Sequence, residues 1–372
     1  MTDKNFHTFI DFGNSAIRAS SFNNETKKVE NQIELTIKNN QSNDLSSQEE
    51  LIEDLIFNLE KKNGEYLDET ILMLDNPNIL LISLSILKKS DEQVLNDNFL
   101  KYIIDDAKLE INKNYPSHEI VHSIIKNFYL DEKKFSKIPK NLNYNKFAVE
   151  FNFFVYPKFF LENLRKIFAK QNVDIKKFIF SSYSKSLFYL NQISDQKKII
   201  FVDIGFEKTC AFLFEDNKMQ QFKILPIGGN HITKDISKIL KIEISKANEI
   251  KLNFNNIDNN KILNQDQIEL IKKIIFSRTE ELLEISTLLL KANDNLKNVK
   301  LVFFGNGSKV LDNKFKSNII FDYDIDLLDE NYVDICLSGL NFVNSEKEAP
   351  LNKIDIQKKK RGLFEKFFNL FS

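Results

Sequence analysis

Tryptophan is absent from the 372 residues, and the chain carries only 9 glycines, 6 prolines and 2 cysteines. Cys210 and Cys336 lie in apolar runs without C-x-x-C spacing, which argues against a disulfide framework or a cysteine metal centre and suits a reducing cytosol. No stretch reaches the roughly 18 consecutive apolar residues of a membrane span. The opening MTDKNFHTF lacks the basic-then-apolar order of a signal peptide. The expectation is a chain that is neither secreted nor membrane-spanning. Basic and acidic residues number 52 and 53, so no global basic field recruits nucleic acid. What is present is a 42% hydrophobic fraction, enough for a sizeable core and two or more domains. The 34 phenylalanines, with many Asn, Lys and Ile, read as coding bias.

The patterning predicts a three-stranded meander at the start: Phe6 to Phe12, a turn at Gly13-Asn14, Ser15 to Phe22, then Val29 to Thr36. A helix over 47–60 follows, opened by a Ser47-x-x-Glu50 capping box. Strands are expected at 70–74, 79–86, 119–130 and 146–155, and helices at 90–110 and 158–170. A short strand at 178–181 and a helix at 185–191 come next. The opening theme then repeats as Lys198–Asp203, Thr209–Phe214 and Met219–Leu225. Two meanders about 190 residues apart, each followed by helices, predict two related α/β lobes with a cleft between them. A long helical pattern at 262–292, a buried strand at 301–304 and an apolar helix at 332–343 close the folded part.

Both meanders carry Asp-x-Gly at the first turn. Asp11-Phe12-Gly13-Asn14-Ser15 sets a carboxylate at a strand end, before a turn whose backbone N–H groups can face a phosphate. Asp203-Ile204-Gly205 offers the same from the other lobe, so two carboxylates could hold a hydrated Mg²⁺ between them. With Gly305-Asn306-Gly307-Ser308 after a third strand, this order resembles the actin, Hsp70 and sugar-kinase superfamily. A more specific stretch is Pro226-Ile227-Gly228-Gly229-Asn230-His231-Ile232-Thr233, followed by Ala247-Asn248-Glu249-Ile250-Lys251 and Arg278-x-Glu280-Glu281. It resembles the FtsA family.

The resemblance implies an actin-like two-lobed α/β fold with an inserted α+β subdomain. It places a first lobe at 1–78, 157–198 and 323–344, the insertion at 79–156, and a second lobe at 199–226 and 299–322. A small subdomain of the second lobe falls at 227–298. It further implies that ATP is held by Asp11, Gly13, Asn14, Ser15, Asp203, Gly205, Thr209, Asn248, Lys251, Gly305, Asn306, Gly307 and Ser308, with Mg²⁺ reached through water by Asp11 and Asp203. Two departures stand out. Asn248 replaces a usual glutamate, and Phe206-Glu207-Lys208 replaces a glycine-rich turn. Losing two glycines restricts φ, and Glu207 brings negative charge towards a γ-phosphate unless Lys208 offsets it, which argues against efficient hydrolysis.

His118-Glu119-Ile120-Val121-His122 spells the H-E-x-x-H of zinc proteases, but it follows Pro116 and enters a β-leaning run. On a strand the two histidine Cα atoms stand ~13 Å apart, too far for one zinc. At the other end, residues 345–360 read as a linker and 361–372 as an amphipathic helix with Leu363, Phe364, Phe367, Phe368, Leu370 and Phe371 on one broad face. At ~16 Å such a helix is too short to span a bilayer. Upstream Lys353, Lys358, Lys359, Lys360 and Arg361 suit anionic phospholipid. The resemblance adds the rest: a peripheral protein on the cytoplasmic face of the inner membrane at the division septum, forming filaments with itself. It would bind the FtsZ C-terminal tail, with Arg278 as a candidate contact, and recruit later divisome proteins. A PilM-like platform of type IV pilus assembly is the alternative.

Overall fold

The computed structural model describes residues 5–37, 48–89, 97–138, 144–193, 197–259, 263–290, 299–311 and 324–348. Phe6–Phe12 (β1), Ala16–Asn23 (β2) and Val29–Thr36 (β3) form the first meander, with Asp11 opposite Arg18 in the β1–β2 register. Glu69–Leu74 (β4) and Asp174–Phe180 (β9) extend it as parallel strands, giving the order β3-β2-β1-β4-β9. The second sheet repeats this plan. Lys198–Ile204 (β10), Thr209–Glu215 (β11) and Lys218–Leu225 (β12) make the meander, and Lys300–Phe304 (β13) and Asp324–Leu327 (β14) add in parallel, in the order β12-β11-β10-β13-β14. The central strands are buried almost without alternation, as strands covered on both faces must be.

Helices supply the cover. Glu49–Asn63 (α1) turns Ile52, Leu55, Ile56 and Leu59 inward, and Lys158–Lys170 (α3) does the same with Leu161, Leu164, Ile167 and Phe168. Ser181–Leu190 (α4) packs on Tyr332–Glu348 (α8), where Gly339 lets the helix approach Met73 and Phe9 so closely that a Cβ would lie 2.6 Å from the Met73 sulfur. Gly229–Leu240 (α5), Ile244–Leu252 (α6) and Gln265–Leu290 (α7) form the small subdomain. It buries Ile232, Ile236, Ala247, Ile271, Ile275 and Leu282 together with the second sheet.

Between β4 and α3 lies the insertion: Leu80–Lys89 (β5), Asp97–Asn114 (α2), His118–Leu130 (β6), Lys133–Phe135 (β7) and Lys146–Pro157 (β8), in an antiparallel sheet ordered β5-β8-β6-β7. Strand β8 has two jobs. Phe147, Val149, Phe151, Phe153 and Val155 fill the insertion's own core with Ile103 and Ala107 of α2, while Phe154 and Tyr156 enter the core of the lobes.

That lobe core crosses from one sheet to the other. Phe180 of the first lobe lies 5.9 Å from Phe212 and 5.6 Å from Phe222 of the second, and Phe154 lies 5.1 Å from Phe222. The phenylalanine excess, whatever its genetic origin, is used here as a seam between lobes.

Several expectations are corrected. Strand β14 pairs with β13, so the second sheet extends to Leu327, whereas the expected boundary gave 323–344 to the first lobe. Helix α8 runs to Glu348, taking the first residues of the expected linker. Helix α1 begins at Glu49 after Gln48, which makes no side-chain cap bond; Ser47 of the expected capping box lies outside the described residues. The amphipathic segment 361–372 lies outside them too. The H-E-x-x-H motif stands on strand β6, as expected. A bulge between Ile120 and His122 separates its histidines into different surroundings, His118 beside Tyr115 and His122 buried.

Candidate functional site

Parallel strands deliver their carboxyl ends to one place. The ends of β1, β4 and β9 bring Asp11, Asp75 and the α4 serines Ser181 and Ser182; the ends of β10 and β13 bring Asp203 and Gly305. Ligands of open α/β sheets bind at such strand ends. The cavity here holds about 40 Å³ and is lined by Asp11, Gly13, Ser15, Lys185, Asp203 and Asn306 among others. That is room for a small ion or a few waters, against roughly 300–1,000 Å³ for small-molecule sites.

The carboxylates are already engaged. Asp11 Oδ1 accepts the Ser181 hydroxyl at 2.7 Å, and Oδ2 accepts Arg18 Nη1 at 3.2 Å; Arg18 Nε donates to Glu34 at 3.0 Å. Burial pushes the Asp11 carboxyl up, and Arg18 and Lys185 only partly offset this. Lys185 Nζ, on α4, reaches 2.8 Å from Asp203 Oδ2 and 3.3 Å from Glu330 Oε2, with Glu330 also accepting Tyr189 Oη–H at 3.3 Å. The ammonium is the only group that answers Asp203's charge among the described residues, since neither of its oxygens receives a directed hydrogen bond. Burial raises the Glu330 carboxyl to about 7, Lys185 notwithstanding, and the like charges of Asp203 and Asp11 add to the rise.

A second bridge runs the other way. Lys208 Nζ, from the β10–β11 turn, lies 2.6 Å from Asp75 Oδ1, 3.1 Å from the Cys210 sulfur and 5.0 Å over the Phe180 ring. Burial works against that ammonium, but Asp75 holds it charged. Burial likewise pushes Asp75 up, and Lys208 and Lys185 more than reverse this, leaving its carboxyl below the usual range. Glu207 turns elsewhere, accepting Asn230 Nδ2–H at 2.7 Å. Lys208 therefore offsets Asp75 rather than Glu207.

The backbone of the turns is spent as well. Gly13 N–H donates to Ala16 O at 3.2 Å and Gly205 N–H to Lys208 O at 2.9 Å. The first N–H groups of α5, on Gly229 and Asn230, donate to Gly205 O and Phe206 O at 2.9 and 2.8 Å. The glycines admit protein against protein. Gly305, at φ +89°, would place a Cβ 2.3 Å from Asp203 Oδ1, and Gly307 would place one 2.5 Å from Ile204. Ser308 Oγ closes on Gly305 O at 2.7 Å, and Thr209 Oγ1 on Ile227 O at 2.7 Å. Asn14 and Ser15 are half-buried at the cavity, and Asn306 is exposed on its rim.

The second group of expected nucleotide contacts gathers nearby. Lys251 Nζ donates to Gly229 O at 3.0 Å and Thr233 Oγ1 at 2.8 Å, and Asn248 Oδ1 lies 3.4 Å from the same hydroxyl. Gly229 packs toward Gly307, so α5, α6 and the 305–308 turn meet. Burial lowers the Lys251 ammonium to about 8. Arg278 sits apart from this cleft, its Nε on Asp235 and its Nη1 on Glu281, both at 2.6 Å.

As packed, then, these residues do not fit Mg²⁺ with a triphosphate. The expected metal carboxylates Asp11 and Asp203 face Arg18 and Lys185, and the turn donors named above face carbonyls. Sequence reasoning missed Asp75, Ser181, Ser182, Lys185 and Glu330 altogether. The available signal was a lysine among four serines at the mouth of a helix, in Ser181-Ser182-Tyr183-Ser184-Lys185-Ser186.

Among known families, the one described as cell division protein FtsA matches residues 200–305. Helicobacter pylori FtsA is 26% identical over 138 residues, 37% of this chain and 28% of that protein. Streptococcus pneumoniae FtsA is 25% identical over 166 residues, 44% of this chain and 36% of that protein. The matches thus span well under half of these relatives. Among solved structures, the PilM–PilN type IV pilus biogenesis complex superposes with a TM-score of 0.61 at 12% identity, covering 88% of this chain and 89% of that one. MreB5 of Spiroplasma citri bound to ADP gives 0.52 at 10% identity, covering 92% and 98%. At such identities the likeness establishes the fold, which is actin-like. Residues 200–305 are thus similar to the FtsA cell-division proteins, and the fold that runs through both lobes is actin-like.

Proposed function

We propose that this chain is a membrane-bound adaptor of cell division: it binds the C-terminal tail of FtsZ, assembles with copies of itself, and lies on the inner face of the cytoplasmic membrane at the septum. The observation that carries the reading is where the FtsA match falls. Residues 200–305 take in most of the second sheet and the whole small subdomain of α5, α6 and α7, the part on which a tail-binding surface is expected. An acidic tail residue reaching Arg278 would compete with Asp235 and Glu281 for its guanidinium. The inserted subdomain, with its own core, is the candidate surface for later divisome proteins and for neighbouring copies. Attachment rests on the apolar face of Leu363, Phe364, Phe367, Phe368, Leu370 and Phe371 and the lysines before it.

Nucleotide has a smaller place here than the fold invites. Mg-ATP would have to displace Lys185 and Lys208 before Asp11, Asp203 and the glycine turns could serve it.

A labelled FtsZ tail peptide titrated with the full chain tests the tail surface. Saturable binding that weakens in Arg278→Glu is expected; no binding at any concentration would remove the adaptor reading. The overlap with PilM favours a second reading, a pilus platform. It would take over if a PilN-type peptide bound and the FtsZ tail did not.

A further inference from the structure

Four carboxylates, Asp11, Asp75, Asp203 and Glu330, converge on the cleft, and the cations that answer them come from the chain itself: Arg18, Lys185 and Lys208. The two lysines are reciprocal. Lys185 leaves the first lobe to meet Asp203 of the second, and Lys208 leaves the second lobe to meet Asp75 of the first. Their side chains are 8% and 2% exposed, so neither bridge is a screened surface pair. Such a pair is costly to split, because opening the lobes strands a charge on each side before water can enter fully. The Phe180, Phe212 and Phe222 seam lies beneath Lys208 and would be exposed by the same motion.

We propose that the cleft is a built-in clasp: Lys185 and Lys208 supply the positive charge that a metal–nucleotide complex would bring between the two carboxylate-bearing lobes, and hold them closed without a ligand. A divalent ion approaching Asp203 meets the Lys185 ammonium first. A triphosphate entering beside Gly205 meets a turn whose inward cation is committed to Asp75 and whose Gly205 N–H is committed to Lys208 O. The clasp stands independently of the adaptor reading, because it concerns lobe closure and not the partner.

Calorimetry and thermal unfolding of the full chain test it. Wild-type protein should show no heat of binding and no shift in midpoint with millimolar Mg-ATP or with Mg²⁺ alone. Lys185→Met keeps an unbranched stem one atom shorter and removes the charge, leaving Asp203 and Glu330 without their shared cation. Its midpoint should fall by several degrees, and Mg²⁺ alone should restore a large part of that loss. Micromolar binding of Mg-ATP by the wild type, or a Lys185→Met midpoint unmoved by the mutation and by Mg²⁺, would overturn the proposal. If Lys185→Met does not fold, small-angle scattering of the wild type decides. An unchanged radius of gyration with and without Mg-ATP supports the clasp, and compaction on addition contradicts it.

Discussion

His122 is buried among Phe154, Tyr183 and Phe342, and its Nε2 accepts the Phe180 N–H at 2.8 Å. Burial, with Lys177 adding to it, lowers the imidazole to about 3 from the ordinary 6.5. In the unfolded chain it takes a proton near its ordinary value, so between pH 6.5 and 3 the unfolded state binds more protons and stability falls as pH falls. The slope from this one group is up to about 1.4 kcal/mol per pH unit. Urea titrations across that window should show it. His122→Leu should flatten the acid slope while costing about 1–3 kcal/mol at neutral pH, because the Phe180 N–H loses its acceptor. An unchanged slope in that variant would assign the acid sensitivity to other groups. Gly305 is a second case. A side chain there collides with Asp203 and strains a positive φ, so Gly305→Ala should destabilise the fold by about 2 kcal/mol or more, whether or not nucleotide is added. Equal stability of Gly305→Ala and wild type by denaturant titration would contradict this packing.

At the scale of elements, the strands of both meanders were legible because short apolar runs rich in Phe, Ile and Val end at Asp-x-Gly turns. The inserted strand β8 was legible from its alternating phenylalanines. Strand β14 was not, since Asp324-Ile-Asp-Leu327 is short and half-charged and only its partner β13 makes it a strand. Helices α5 and α6 were visible as a family-like stretch rather than as periodicity. The clasp was invisible for a different reason: Lys185 and Asp203 stand in different lobes, and nothing in local spacing says that a lysine will cross a cleft. The tail segment is argued from pattern alone. Phe367→Glu with Phe368→Glu puts two charges on its apolar face and should abolish cosedimentation with anionic vesicles while leaving the unfolding midpoint unchanged. Salt should weaken wild-type binding only in part, since the apolar contribution is not screened. Vesicle binding by that variant equal to wild type would refute membrane attachment through this segment.

For the molecule as a whole, two lobes of one plan share an aromatic core and a cleft whose charges answer one another. Among the described residues no helix is long and apolar enough to cross a membrane. On the proposed reading such a body presents surfaces: the insertion on one lobe, the small subdomain on the other, and, beyond Glu348, the segment proposed to attach to lipid. MreB5, solved with ADP bound, shares the fold, and in this chain Lys185 and Lys208 meet Asp203 and Asp75 across the cleft. The most direct measurement is FtsZ sedimentation with anionic vesicles in the presence of the full chain, with and without Mg-ATP. Vesicle-bound FtsZ that depends on the chain and is the same in both conditions is the predicted result; FtsZ left in the supernatant, or carried down only when Mg-ATP is present, would contradict the account.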